Sequence, residues 1–468
     1  MSFLPPAACR LPPLFFAASF LLSSCMVGPD YQRPDTGLPA NFNEPTVTTG
    51  AGSIPTQWWT LYADDKLNEL VQAGLANNTD VHAAVARVEE AEALLREARA
   101  VLFFPQVQGN ANAGRARTIV NGDGSVGNGF ALGLSTSFEI DLWGRLRRAE
   151  RATRDQLAGS RYGRDTVALT VAATIARSYF AVRSLDSQIV ASRQIEEAAG
   201  EGLDLAQKRA RGGYASELDV YQAGGVKTAA SAQAKEFTRQ RAVIVHQLGV
   251  LTGRLDLAIA PATLDKLPIP PLPPEGLPST LLERRPDVRQ AEMDLATATE
   301  RIGISRAAQF PTLTLTASGG VQSAELSSLF SSGSQVWSIG AGLLGPILDG
   351  GRYAARTDQA AAQAKQVEAQ YVRATQNAFR DVSDALSNVR MSADTETDLV
   401  EHLQQTRSAL RLAGLRYRQG YSAYLEVLDA QRTLNDAQLA FIRNRQAYLS
   451  YTVDLMNALG GGWEEATR

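Results

Sequence analysis

Covalent chemistry is signalled at one residue, Cys25, which closes the stretch Leu22-Ser23-Ser24-Cys25. Arg10 is the only charge ahead of it and the apolar run Leu11 to Leu22 follows, so residues 1–24 read as an export signal with its cleavage site. The small residues before the cysteine have the look of a lipobox. That reading makes Cys25 the first residue of the mature chain and puts an N-acyl diglyceride on it, with fatty acids of the palmitate type. The alternative is an ordinary secreted protein with a free or buried thiol. Cys9, the only other cysteine, leaves with the signal, so Cys25 has no disulfide partner and an unmodified thiol would stand in an oxidising compartment. Acyl chains anchor well, at about 0.8 kcal/mol per buried CH₂.

Other chemistry is poorly supported. Gly122-Asp123-Gly124-Ser125-Val126-Gly127 fits G-x-G-x-x-G, but it lies between two strand-like segments and opens no helix, so it reads as an external loop. His82, His246 and His402 have no second histidine or cysteine at ligand spacing, and no metal is expected. Glu89, Glu90 and Glu92 read as a wet helix face. With no P-loop or nucleophile elbow, neither an enzyme nor a cofactor beyond the lipid is expected. A lipoprotein hydrolase would need a buried, shifted acid or base that the sequence does not offer.

The 468 residues are 44% hydrophobic and 20% charged with a formal net charge of −3, which gives no basic face for nucleic acid. After the signal no apolar run reaches the ~18 residues of a spanning helix. Val167 to Val182 is interrupted by Arg177, so any membrane crossing must use strands.

The elements that would do this occur twice. At a shift of 207, Leu205-Ala206, Arg209, Arg211, Gly213-Tyr214, Leu218, Val220 and Ala223 match Leu412-Ala413, Arg416, Arg418, Gly420-Tyr421, Leu425, Val427 and Ala430. Gly133, Ile140, Gly144-Arg145, Asp80-Val81 and Gly253 match Gly340, Ile347, Gly351-Arg352, Asp287-Val288 and Gly460. The expected organisation is a first repeat over 25–265, a stiff Pro-rich linker over 266–280 and a second repeat over 281–468. The first holds a helix (Thr79 to Leu102), strands at about 106–118 and 129–141, a long helix 146–211 and a helix 216–251. The second holds a helix, strands at about 312–322 and 335–345, a long helix 352–419 and a helix 423–458.

Phe130, Leu132, Leu134, Phe138 and Ile140 alternate with small or polar residues, the period of a strand with two unlike faces. A soluble sandwich has the same pattern. In lipid, however, an open sheet edge is not tolerated and about eight strands are already plugged by their own side chains, so three copies of four strands are needed for a lumen. The proline-free stretch Leu146 to Arg211 would make a helix of roughly 100 Å. The two shorter helices, stacked end to end, would run beside it. A free-standing coiled coil is the competing reading, without clean Leu or Ile heptads.

Several segments resemble, in order, those of TolC-like outer membrane factors, in particular the lipoproteins of the NodT type that partner resistance-nodulation-division pumps. They are Cys25 to Pro34, Trp58-Trp59, Phe104-Pro105, Asp141-Leu142-Trp143-Gly144-Arg145, Leu282 to Val288 and Leu348-Asp349-Gly350-Gly351-Arg352. The similarity covers essentially the whole mature chain. It implies a mixed α and β membrane protein: a homotrimeric 12-stranded transmembrane β-barrel, four strands per protomer, continuous with a long periplasmic α-helical barrel and an equatorial collar. The implied function is the outer-membrane duct of a tripartite multidrug efflux system, with a periplasmic adaptor and an inner-membrane pump as partners. A metal or peptide exporter of the same architecture is the alternative. Met26 stands where an inner-membrane retention aspartate would be expected by the same analogy, which favours the outer membrane.

The resemblance also assigns the inner tip. Adaptor docking would fall on the turns carrying Arg209, Arg211, Gly213 and Tyr214, and Arg416, Arg418, Gly420 and Tyr421. Glu426 and Asp429, three apart on one helix face, resemble the acidic aperture, so threefold symmetry would ring the pore constriction with six carboxylates. A solvated helix face is the plainer reading. Tyr417 and Arg432 would tie neighbouring helices, while Ser422 stands where some relatives carry a linking arginine.

Overall fold

The computed structural model describes residues 26–42, 55–120, 123–271 and 279–461. Cys25, the signal, Gly122, Pro273-Pro274 and the last seven residues lie outside the described residues. Along the chain run α1 (Asp65–Asn77), α2 (Thr79–Phe103), β1 (Gln106–Val120), β2 (Asp123–Ile140), α3 (Arg145–Arg211) and α4 (Glu217–Thr252). Then come α5 (Pro286–Ala307), β3 (Thr312–Ser323), β4 (Gln335–Leu344), α6 (Arg352–Arg418) and α7 (Tyr424–Ala458).

The residues pack as two compact units, and neither coincides with a sequence repeat. One comprises Met1–Asp35, Arg87–Arg161 and Gln290–Tyr371, the other Thr36–Ala86, Tyr162–Arg289 and Val372–Arg468. Each therefore draws on both halves of the duplication.

The first unit holds one antiparallel sheet in the order β1-β2-β3-β4. β1 pairs with β2 as far as Val120 with Asp123, which leaves two residues between them. Asp123 to Gly127 consequently belong to β2, so the external loop expected over Gly122 to Gly127 is corrected to strand from Asp123 onward, Gly122 lying outside the described residues. The signal was in the sequence: Asn121-Gly122 is the dipeptide that tight hairpins favour, and glycine does not prevent an exposed strand from pairing.

Starts of the long helices are set by acid caps. Asp349 accepts the N–H groups of Gly351 and Tyr353 at 3.1 and 2.9 Å, and Asp141 accepts that of Arg147 at 2.9 Å. Gly144 and Gly351, the matched pair before these helices, have φ of +81° and +84°.

In the second unit Trp58, Tyr62, Tyr179 and Phe180 are buried together, and the Tyr62 hydroxyl meets that of Thr452 at 2.8 Å. Its helices meet end to end. Asn78 Nδ2, just before α2, donates to the carbonyl of Leu251 at the end of α4 at 3.1 Å. In the other repeat Arg285 Nη1, just before α5, donates to the carbonyl of Ala458 at the end of α7 at 3.0 Å. Positions 78 and 285, and 251 and 458, are each 207 apart, so two different side chains do one job. The linker is held at its start: Leu267 is buried, and its carbonyl accepts Arg445 Nη2 at 2.9 Å.

Candidate functional site

Three places in the chain carry unusual arrangements, and the sheet is the largest. Register sets Leu134 beside Gly319 and Trp337, Thr136 beside Ala317 and Ile339, and Ile140 beside Leu313 and Leu343. That face is apolar, yet Trp337 and Ile339 are each 79% exposed. The opposite face carries Gln108, Ser135, Ser318 and Ser338, and Asn110 with Gly133 and Gly320. Ser318 and Ser338 bond at 2.8 Å. Aqueous folding buries one face of a sheet and hydrates the other; here the apolar face is uncovered as well as the polar one. β1 and β4 are edges, each with a row of unpaired backbone groups.

The second place is the strap that follows Cys25. Val27 N–H donates to the carbonyl of Trp143 at 3.1 Å. Arg148, in α3 and 0% exposed, donates to the carbonyls of Val27, Gly28 and Pro29 at 2.8, 3.1 and 3.0 Å. It also reaches Glu300 of α5 at 2.8 Å and Asp30 at 3.3 Å. A Cβ on Gly303 would lie 2.1 Å from Arg148 Cδ, so the guanidinium passes where only glycine leaves room. Farther along, Arg33 grips Glu292 through two bonds, at 2.8 and 3.0 Å.

The third is the pair of tip turns. After α3, Gly213 N–H bonds the Ala210 carbonyl at 3.0 Å and Tyr214 N–H the Arg209 carbonyl at 2.8 Å. After α6, Gly420 and Tyr421 bond Tyr417 and Arg416 in the same way, at 3.0 and 2.9 Å. Both are Schellman stops, with glycine φ of +76° and +81°. Tyr214 and Tyr421 project outward, at 80% and 75% exposure, and Arg211 and Arg418 are exposed.

Tyr417 is buried against Tyr424, with ring centroids 5.1 Å apart and Ala223 beside them. Arg209 lies over the Tyr417 ring at 4.6 Å and donates to its carbonyl at 2.7 Å. The first-repeat turn is thereby joined to the second-repeat turn. Burial pushes both tyrosine hydroxyls above their ordinary range. Tyr424 and the partnership with Arg209 were not read from the sequence, because they need the two turns side by side.

Glu426 and Asp429 are both exposed on α7. Arg416 stands 3.6 Å from Glu426, and Arg432 pairs with Asp429 at 3.2 Å on its own helix. Within one chain, then, Tyr417 links separate helices, while the ion pair of Arg432 is local to α7.

Enzyme-like features disperse. His82 Nε2 contacts the carbonyl of Ala76 at 2.8 Å, Glu92 pairs with Arg161, and Glu89 and Glu90 are exposed. Among the described residues no acidic, histidine or cysteine group could hold a metal, and no helix is long and apolar enough to cross a membrane.

The pattern for the outer membrane efflux protein family matches residues 70–254 and again 277–461. The solvent efflux pump outer membrane protein SrpC of Pseudomonas putida is 34% identical over 96% of this chain and 98% of its own. The pyoverdine export outer membrane protein OpmQ of Pseudomonas aeruginosa is 32% identical over 96% of each. Among solved structures, the outer-membrane channel OprN superposes with a TM-score of 0.86 at 27% identity, covering 94% of this chain and 100% of OprN. The open state of the Neisseria gonorrhoeae MtrE outer membrane channel gives 0.84 at 30% identity, covering 93% and 98%. Matched twice by the family pattern and aligned with these relatives along nearly all its length, the chain belongs to the outer membrane efflux protein family, transport components of the outer membrane rather than enzymes.

Proposed function

We propose that three copies of this chain join edge to edge to form the passive outer-membrane duct of a tripartite efflux system. β4 of one copy would lie beside β1 of the next; these strands run in opposite directions, so antiparallel pairing continues around twelve strands. Closure would satisfy both open edges, turn the apolar face to lipid and the small polar face to water. The helices would continue the duct through the periplasm. Cys25 would be acylated and would hold the strap at the membrane. The Arg209 to Tyr214 and Arg416 to Tyr421 turns would meet a periplasmic adaptor, and an inner-membrane pump of the resistance-nodulation-division class would supply the energy.

One observation carries this reading: an exposed apolar sheet face, led by Trp337 and Ile339, on a sheet with two unpaired edges. At the tip, Glu426 and Asp429 from three copies would ring the constriction and favour cations. The names of relatives span toluene, antibiotics and pyoverdine, which fits a wide aqueous lumen whose cargo is chosen by the pump. Detergent-purified protein should run as a heat-sensitive trimer and conduct in a planar bilayer. A monomer stable in plain buffer, with no fatty acid on Cys25, refutes the proposal.

A further inference from the structure

Phe103 ends α2 two residues before Pro105 and β1, and Arg147 is the third residue of α3, just after β2. Between these helix ends opens a cavity of about 550 Å³. Four arginines line it, Arg99, Arg147, Arg151 and Arg154, against one carboxylate, Glu150. Leu102 and Phe103 form its apolar side, with Phe103 64% exposed.

Glu150 is committed. It accepts Arg99 Nε at 3.0 Å and Arg154 Nη2 at 2.7 Å, and its side chain is 6% exposed. Arg147 is bound to the side chain and carbonyl of Asp141 at 3.2 and 3.1 Å. Arg151 stands 3.9 Å from Asp30 and also acts on the Asp155 carboxylate. Each guanidinium carries more N–H donors than these contacts use, so donors remain for an anion although Glu150, Asp141, Asp30 and Asp155 offset much of the charge. Guanidinium forks match phosphate oxygens in pairs.

We propose that this cavity binds the phosphate headgroup of an anionic phospholipid, with Leu102 and Phe103 against the first carbons of its acyl chains. The inference rests on the channel reading, which puts the strand ends, and so these helix ends, at headgroup depth. Lipid is favoured over a neighbouring copy because charge and apolar surface adjoin in one concave site, as an amphiphile requires.

The test uses the full-length acylated protein in nanodiscs of phosphatidylcholine doped with phosphatidylglycerol, with retained lipid counted by mass spectrometry and insertion and conductance followed on the same preparation. Phosphatidylglycerol should be enriched over the bulk ratio. It should fall roughly fivefold or more in the Arg99→Gln, Arg151→Gln double variant, at about one such factor per cation near an anionic surface. Arg151→Lys should keep much of the enrichment, and Arg239→Gln, which alters an exposed pair with Glu236 on α4, should keep all of it. Equal retention by the double variant overturns the inference. So does displacement of the lipid by excess inorganic phosphate, which would mark a free-anion site. Loss of trimer with unchanged lipid overturns it too, because the arginines would then serve a neighbouring copy. A preparation that neither inserts nor conducts sinks the channel reading and this inference together; one that inserts but retains lipid without preference sinks only the inference.

Discussion

Replacing Arg148 by methionine keeps most of the volume and removes the charge and every donor. Asp30, with 77% of its side chain exposed, is rehydrated and contributes almost nothing. The carbonyls of Val27, Gly28 and Pro29 belong to a partly exposed strap and regain water, at about 1–2 kcal/mol together. Glu300 decides the outcome. Its side chain is 7% exposed, and without Arg148 it is a buried carboxylate stripped of its closest partner, a loss of about 3–5 kcal/mol. The purified, acylated protein should therefore dissociate on heating roughly 5–10 °C earlier, and protease should cut the strap near Asp30 that is protected in the parent. Adding Glu300→Gln should restore about half the loss, because the two positions share one interaction. A melt within about 2 °C of the parent with the strap still protected, or two substitutions that simply add, would refute the reasoning.

Gly213→Ala and Gly420→Ala meet no atom within 4 Å, so their effect is purely conformational. At φ of +76° and +81° each should weaken its tip turn by about 1–2 kcal/mol, seen as faster amide exchange there; unchanged exchange would contradict this. Burial, with the Glu300 charge next, pushes the Asp155 carboxyl up from 3.8 to about 6. A raised carboxyl stabilises the fold while protonated, fully below about pH 3.8, and loses that contribution as pH rises through about 6. Asp155→Asn should accordingly gain on the parent between about pH 4 and pH 7 in heat-dissociation curves, and a constant difference would be the wrong result. Glu426→Ala with Asp429→Ala should lower cation preference in single-channel recordings, whereas identical currents would remove both residues from the constriction.

Much of the fold was legible because its signals are local. Period two across Phe130 to Ile140 needs only the pleat, and the absence of proline from Leu146 to Arg211 needs only the helix. The turn glycines at 213 and 420 were found because positive φ has a residue preference. What escaped is non-local. Arg148 looks like any helix arginine until its partners, 118 to 152 positions away, are brought to it. Asn78 and Arg285 share no chemistry that an identity match could detect, and only the helix joint reveals their equivalence. The strand over Asp123 to Gly127 was hidden for a different reason: a glycine motif outweighed the turn dipeptide Asn121-Gly122 that overlaps its start.

Those two joints have a mechanical implication. One is closed by a neutral amide. The other is closed by a cation that also binds both carboxylate oxygens of Asp287, at 2.9 and 2.7 Å, and reaches Asp381 at 3.3 Å. Ionic strength weakens the second kind and leaves the first untouched. Around a threefold ring the couplings would alternate, stiff in brine and softened by it, so a uniform pull from below would not be shared equally. Added salt would soften every other seam, beside Arg285, so a duct built from two nearly equal halves would lose stiffness along the ionic one alone.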